Sequence, residues 1–305
     1  MILRPIAGPQ EVELFNRLPY VFNHEIAQDL ADGHRRREWL WVALRGGQVL
    51  ARIGWWCRGS QDDAPFLLDI LDYAEGEQDT GRLLFETARA AVLPDGTAQV
   101  NYTRFAPADW RTDPVARRVV EGRTAIVAGG GARPFVERLR FEWRPGTPVP
   151  APSGRLSFRP FEDTEELLTV MTEVLAGTLD AYSLLDLRTM TPRQAAEAHY
   201  EDELARYTSP REWWRLATLA DGEPVGFVLP SQGGYHPIIA YVGVRPAHRG
   251  RGCIDELLAE GTRVLAAADA PRIRATTDVG NQPMAEAFLR AGYADYEREI
   301  HLTWD

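Results

Sequence analysis

The residues best suited to chemistry lie in one short stretch, Arg249-Gly250-Arg251-Gly252. Its glycines let the backbone bend tightly and approach a ligand, and its arginines supply fixed positive charge. What precedes and follows gives the stretch meaning. Ile238, Ile239, Tyr241, Val242 and Val244 are β-branched or aromatic and predict a strand, which Pro246 should end. Ile254, Leu257, Leu258, Gly261 and Leu265 recur at helical spacing. A glycine-arginine turn therefore opens a helix directly out of a strand. The first N–H groups of a helix have no intrahelical acceptor, and the helix dipole adds positive potential there. The product is a cradle for an anion such as a pyrophosphate. An isolated Arg-Gly-Arg-Gly would read as a solvated loop; the flanking strand and helix favour the phosphate reading.

Two common phosphate templates fail. A dinucleotide loop needs a third glycine where this chain has Asp255, and a P-loop needs a lysine, of which the chain has none. VGVRPAHRGRGCIDELL instead resembles the coenzyme A signature of the GNAT acetyltransferase family, V-x-V-x-P followed by R-G-x-G/A at a helix start. Ala247 departs from the pattern, since the family often has Gln or Arg there. The resemblance implies acetyl-coenzyme A as cosubstrate. It assigns the backbone of Val242, Gly243 and Val244 to the pantetheine arm and thioester. It assigns Arg249, Gly250, Arg251, Gly252, Cys253 and Ile254 to the pyrophosphate. A second family element, N-x-x-(A/M)-x-x-x-(Y/F)-x-x-x-G-(F/Y), is matched by Asn281, Met284, Phe288, Gly292 and Tyr293. It implies that Asn281 contacts the coenzyme arm; read alone, Asn281 is a helix N-cap. Phe288 lacks the hydroxyl that many family members use to protonate the departing thiolate, so Tyr293 and Tyr241 become the candidate acids. The strand also lacks the carboxylate base frequent in the family. His236 is the nearest titratable group and the candidate base, with a plain surface histidine as the competing reading. Asp180, Tyr182 and Glu201-Asp202-Glu203 fall where the family builds its acceptor wall, and equally where any solvated helix face is acidic.

The chain has 305 residues and a net charge of −10. Residues 151–305 hold 15 Arg against 24 acidic residues. That balance argues against nucleic acid and fits either a cationic amine substrate or plain solubility. Cys57 and Cys253 are the only cysteines. They build neither a disulfide framework nor a zinc site, so a reducing cytoplasm and no metal are expected. No apolar run approaches the ~20 residues of a membrane span. The N-terminus lacks the apolar core of a signal peptide, and there is no G-x-S-x-G.

The chain also repeats itself. Residues 2–15 and 156–168 each read as a strand ending in Arg-Pro, then a helix start. Leu44–Ile53 and Leu219–Val228 each read as a glycine-turned hairpin. A strand then precedes a helix in both halves, and Leu139, Phe141 and Trp143 alternate as Ile300, Leu302 and Trp304 do. The expectation is two tandem GNAT-like domains of mixed α/β class, each a mostly antiparallel sheet flanked by helices. They should span residues 1–145 and 155–305, joined by a Pro/Gly-rich linker at 146–154. Ala74–Gly81 carries Glu75, Glu77 and Asp79 where the second half has arginines. Those carboxylates repel a pyrophosphate, so the N-terminal copy is expected to be degenerate. The expected function is direct acyl transfer from acetyl-coenzyme A to the amine of a small molecule or peptide. The rival is a catalytically silent acyl-coenzyme A sensor. Oligomeric state is left open. His34-Arg35-Arg36-Arg37 is read as a solvated charge run.

Overall fold

The Arg-Pro pairs are a structural device used twice. Arg4 grips Glu11 with two N–H···O bonds of 2.6 and 2.7 Å, and the Ala7 N–H donates to the same carboxylate at 2.7 Å. Arg159 grips Glu166 at 2.9 and 2.5 Å, and the Glu162 N–H donates to it at 2.8 Å. Bidentate, charge-assisted pairs fix geometry well, so both halves enter their first helix alike. The computed structural model describes residues 1–93 and 100–304. The chain divides into two compact units, one of residues 1–137 with the segment from Arg298 onward, the other of residues 138–297.

The first unit runs β1 (Ile2–Pro5), α1 (Val12–Phe15), α2 (Ile26–Asp32), β2 (Leu40–Arg45), β3 (Gln48–Trp56), β4 (Leu67–Tyr73), α3 (Gln78–Val92), β5 (Asn101–Pro107), α4 (Pro114–Gly129) and the start of β6 (Arg133–Trp143). Its strands follow the order β1-β2-β3-β4-β5, antiparallel except for β4 with β5. The β2–β3 hairpin turns on Gly46 and Gly47, at φ 59° and 83°. That pair of positive φ values matches the twist of the flanking strands. One core packs Trp55, Leu68, Leu84, Phe85, Tyr102 and Leu302. Arg35 corrects the expected solvated run: it is buried and bonds Asp29 at 2.8 Å and Asp69 at 2.8 and 2.6 Å.

The second unit takes residues 138–143 of β6 and continues through β7 (Ser157–Arg159), α5 (Thr164–Val174), α6 (Ala181–Asp186), α7 (Pro192–Asp202), β8 (Arg215–Thr218), β9 (Pro224–Gln232), β10 (Pro237–Val244), α8 (Cys253–Ala267), β11 (Ile273–Asp278) and α9 (Gln282–Arg290), to residues 294–297 of β12 (Ala294–Thr303). Its order is β7-β8-β9-β10-β11-β6, and only β10 with β11 is parallel. One cluster gathers the α8 and α9 residues Leu257, Leu258, Ala287 and Phe288; another gathers Leu167, Met171, Ala196 and Phe227 from α5, α7 and β9. The element order of the first unit is thus repeated, in a mixed α/β fold with a mostly antiparallel sheet.

The stretch expected to be a spacer belongs to the second unit. Val149 packs on its core, Arg263 donates to the Pro150 carbonyl at 3.0 Å, and Ser153 donates to Glu256 at 2.6 Å. No helix among the described residues is long and apolar enough to cross a membrane.

Candidate functional site: the glycine loop and the open strand edge

Between β10 and α8 the chain takes one 3₁₀ turn, Pro246–His248, and then reverses twice into left-handed backbone, at Gly250 (φ 72°) and Gly252 (φ 75°). L side chains are strained in that conformation, so glycine is required at both points. A Cβ on Gly250 would meet nothing within 4 Å, and one on Gly252 only side-chain tips at 3.9 Å. The loop is therefore open on that side. Among the described residues, the N–H groups of Gly250 to Ile254 have no backbone acceptor. Arg155 braces the loop from behind, donating to the Arg251 carbonyl at 2.7 Å and to Glu256 at 2.7 Å.

The two arginines do different work. Arg249 turns away from the loop. It donates to the carbonyls of Val174 at 2.7 Å, Ala176 at 2.6 Å and Val244 at 3.0 Å. It thus ties the carboxyl end of α5 to the end of β10, satisfying carbonyls that the helix leaves unpaired. Arg251 is exposed and has no partner among the described residues. Cys253 is buried in the first turn of α8 as part of the core.

Beside the loop the sheet opens. β10 bulges at Ala240, which no residue of β9 opposes, as the pairing passes from Ile239↔Pro230 to Tyr241↔Leu229. Parallel pairing of β10 with β11 is confined to Ile238↔Arg274. Past that point the β11-facing edge of β10, at Val242 to Val244, has no strand partner among the described residues. Such an edge presents unpaired donors and acceptors. On one face Val242 and Val244 pack toward the α8–α9 core. On the other, Ala240 and Tyr241 pack toward α5 and α7.

On the α5–α7 face the polar groups gather around α6. Asp278, at the end of β11, is buried and accepts from Ala181 N–H at 2.6 Å and from Arg138 Nε at 2.9 Å. Burial raises its carboxyl, against the pull of Arg138. Asp180 caps α6 through the Ser183 N–H at 2.8 Å. Tyr241 stacks on His199 with ring centroids 4.8 Å apart. Burial, with Asp180 nearby, lifts its phenol well above the usual range. Asp186 is likewise raised by burial.

The other sequence candidates fall elsewhere. Burial, reinforced by Arg274, Arg140 and Arg272, lowers His236 to about 3. So weak a base draws a proton from an ammonium poorly. Five residues of strand, roughly 16 Å, also separate it from Tyr241. Tyr293 is buried in the core, its hydroxyl 2.7 Å from that of Thr262. Phe288 is core as well, stacked on Phe141 at 5.0 Å. Asn281 is the α9 cap and accepts from the Met284 N–H at 3.4 Å. Of the three candidate acids and bases, only Tyr241 adjoins the bulge. Sequence reasoning missed His199 and Asp186, which lie on helical segments with no motif spacing.

The first unit has the same splay with a different filling. β4 bulges at Asp69, and its parallel pairing with β5 stops after Leu68↔Tyr102. Beyond it the Leu71 carbonyl accepts from Arg104 at 3.4 Å and the Tyr73 carbonyl from Arg123 at 3.1 Å. The Phe105 N–H donates to the Tyr20 hydroxyl at 3.0 Å. Asp72 binds Arg52 at 3.1 Å and Arg104 at 3.0 Å. Burial acts to raise the Asp72 carboxyl, but the surrounding arginines outweigh it and hold it low. Tyr73 lies against Gly81 of α3, where a Cβ would come within 2.8 Å of its ring.

Comparison with known proteins fits this geometry. Residues 180–293 match the sequence profile of the Acetyltransferase (GNAT) family. A search of curated proteins finds no match for the chain. Among solved structures, the chain is similar to a GCN5-related N-acetyltransferase from Sphaerobacter thermophilus at 18% identity and TM-score 0.60, over 99% of this chain and 94% of that one. It is similar to a tandem GNAT protein from the clavulanic acid biosynthesis pathway at 16% identity and TM-score 0.53, over 99% and 97%. A GCN5-related N-acetyltransferase from Kribbella flavida aligns at 15% identity and TM-score 0.53, over 92% of each chain. These likenesses establish the fold along the whole chain, and the GNAT acetyltransferase family profile matches it over residues 180–293.

Proposed function

We propose that the second unit transfers an acyl group, acetyl in the simplest case, from acetyl-coenzyme A directly to an amine of a small molecule or peptide. One observation carries the reading: an open loop with left-handed glycines and unpaired N–H groups stands at the head of α8, beside an unpaired strand edge. The residues present suit the cosubstrate. Gly250 to Ile254 offer N–H groups to a pyrophosphate, and Arg251 adds charge. The freed edge of β10 at Val242 to Val244 offers backbone groups to an amide-bearing arm, and Asn281 stands at the head of α9. The cosubstrate supplies the activated acyl group; the protein's part is to hold it and polarise its carbonyl through a strand N–H. Tyr241 keeps its proton at ordinary pH and serves as a hydrogen-bond donor at the reacting end. Asp180 and Asp186 favour a cationic amine on the α6 side.

Titration calorimetry of acetyl-coenzyme A into the full chain should give one site per chain, and amine-dependent release of free thiol should follow. Two sites would mean that the first unit also binds; no binding would end the reading. The core positions of Phe288 and Tyr293 favour one alternative, an acyl-coenzyme A sensor without turnover. Binding without thiol release would select it.

A further inference from the structure

A small cavity lies on the acceptor face, away from the glycine loop. It is lined by Ser183 and Asp186 of α6, Ala195 and His199 of α7, and Tyr241 of β10, closed by Met171 and Leu175 of α5. Its volume is about 10 Å³, enough for about one water. The Nε2 of His199 is buried and has no hydrogen-bond partner among the described residues; a carboxylate oxygen of Glu203 is 3.9 Å away. A buried polar atom without a partner is costly, and a bridging water is the usual remedy. The side chains of Ser183, Asp186 and Tyr241 could complete such a water's bonds.

Resting on the acyl-transfer reading above, we propose that His199 is the general base, taking the acceptor amine's proton through one water held in this cavity. Tyr241 fixes the imidazole by stacking on it at an interplanar angle of 10°. It also stands next to the bulge and directly precedes the open strand edge at Val242. Two carboxylates act on the imidazole: Asp186 of α6, and Glu203 just past α7, whose nearest oxygen is 3.9 Å from Nε2; Arg249 acts on the stacked Tyr241. The α5 residues facing it carry no charge, and the Tyr241 phenol stays neutral. The protons balance as follows. An ammonium gives its first proton through the water to Nε2, which releases it to solvent. The nitrogen lone pair forms the C–N bond as the C–S bond breaks with its electrons on sulfur. The second amine proton ends on that sulfur, and one proton is released per turnover.

The test uses the full chain with acetyl-coenzyme A and a panel of tyramine, spermidine and a lysine peptide, following thiol release from pH 5.5 to 9. His199→Gln should lower kcat/KM by about 100-fold at neutral pH and abolish the fall of activity toward acid. Its calorimetric Kd for acetyl-coenzyme A should stay within about twofold of wild type, since the cavity lies off the loop. His199→Ala should regain activity when imidazole is added, which a misfolded variant would not. A His199→Gln protein within about threefold of wild type, with the acid limb intact, overturns the proposal. If wild type binds acetyl-coenzyme A and releases thiol, only the proposal falls with that result. If wild type does neither, the acyl-transfer reading fails and takes the proposal with it.

Discussion

The two units carry the same bulged, splayed strand pair and treat it in opposite ways. Counting from the bulge, Asp72 of the first unit occupies the position of Gly243 in the second, and Tyr73 that of Val244. In the first unit the opened backbone is met by the protein itself, through Arg104, Arg123 and the Tyr20 hydroxyl. In the second, Gly243 carries no side chain and the β11-facing edge at Val242 to Val244 has no strand partner among the described residues. A splayed sheet creates unmet hydrogen-bonding groups whichever unit it is in. Filling the gap with a buried ion cluster yields a closed scaffold; leaving it open yields a place for a ligand. The turns agree with this division. Glu77 at the head of α3 accepts from Thr80 at 2.5 Å and from Arg45 at 2.9 Å. The head of α8 has N–H groups without a backbone acceptor, and Arg251 has no partner, among the described residues.

The sharpest way to break the comparison is to unplug the closed cleft. Asp72→Ala leaves the buried Arg52 and Arg104, and the half-buried Arg123, without their shared carboxylate. Removing one member of a buried ion cluster costs about 3–5 kcal/mol. Urea denaturation should show the loss; a change below about 1 kcal/mol would mean the cluster does not hold the first unit together. The next test separates the two loop arginines. Arg251→Glu should weaken acetyl-coenzyme A binding about tenfold or more while leaving the melting temperature unchanged. Arg249→Gln should instead destabilise the second unit by about 1–2 kcal/mol, because the carbonyls of Val174 and Ala176 lose their donor. If the two variants exchange these effects, the assignment of strut and ligand contact is reversed.

A pH-dependent test concerns His236, whose imidazole is held near 3 by burial and by three arginines. An unfolded histidine titrates near 6.5. Between those values the unfolded chain binds more protons than the folded one. The stability contributed by the neutral imidazole is therefore present above about pH 6.5 and is lost as pH falls toward 3. Thermal midpoints from pH 7 to 4 should fall less steeply in His236→Asn than in wild type. Parallel curves would show that His236 is not buried as a neutral group.

Periodicity and turn chemistry made much of the fold legible. The paired glycines of the β2–β3 hairpin, the Arg-Pro strand ends and the helical spacing after Gly252 are local signals, and local signals suffice to order the elements. The glycine loop was legible for the same reason. The role of Arg249 was not, because its acceptors at and just past the end of α5 lie more than 70 residues away in sequence. Arg35 misled similarly: in sequence it sits in a basic run, and only folding brings Asp29 and Asp69 around it. Tyr293 and Phe288 matched a motif, yet packing put both in the core. His199 and Asp186 carried no signal, since a helix surface holding His or Asp looks the same whether or not a cavity closes over it.

The sequence by itself determined the duplication, the strand–loop–helix that invites an anion, and the glycines that the loop's left-handed turns require. These depend on backbone preferences acting over a few residues. Tertiary structure alone decided which splayed cleft is open, which arginine is a strut and which histidine faces a cavity. Those outcomes depend on burial and on partners from distant segments, and the electrostatics of a side chain follow from its neighbours in space.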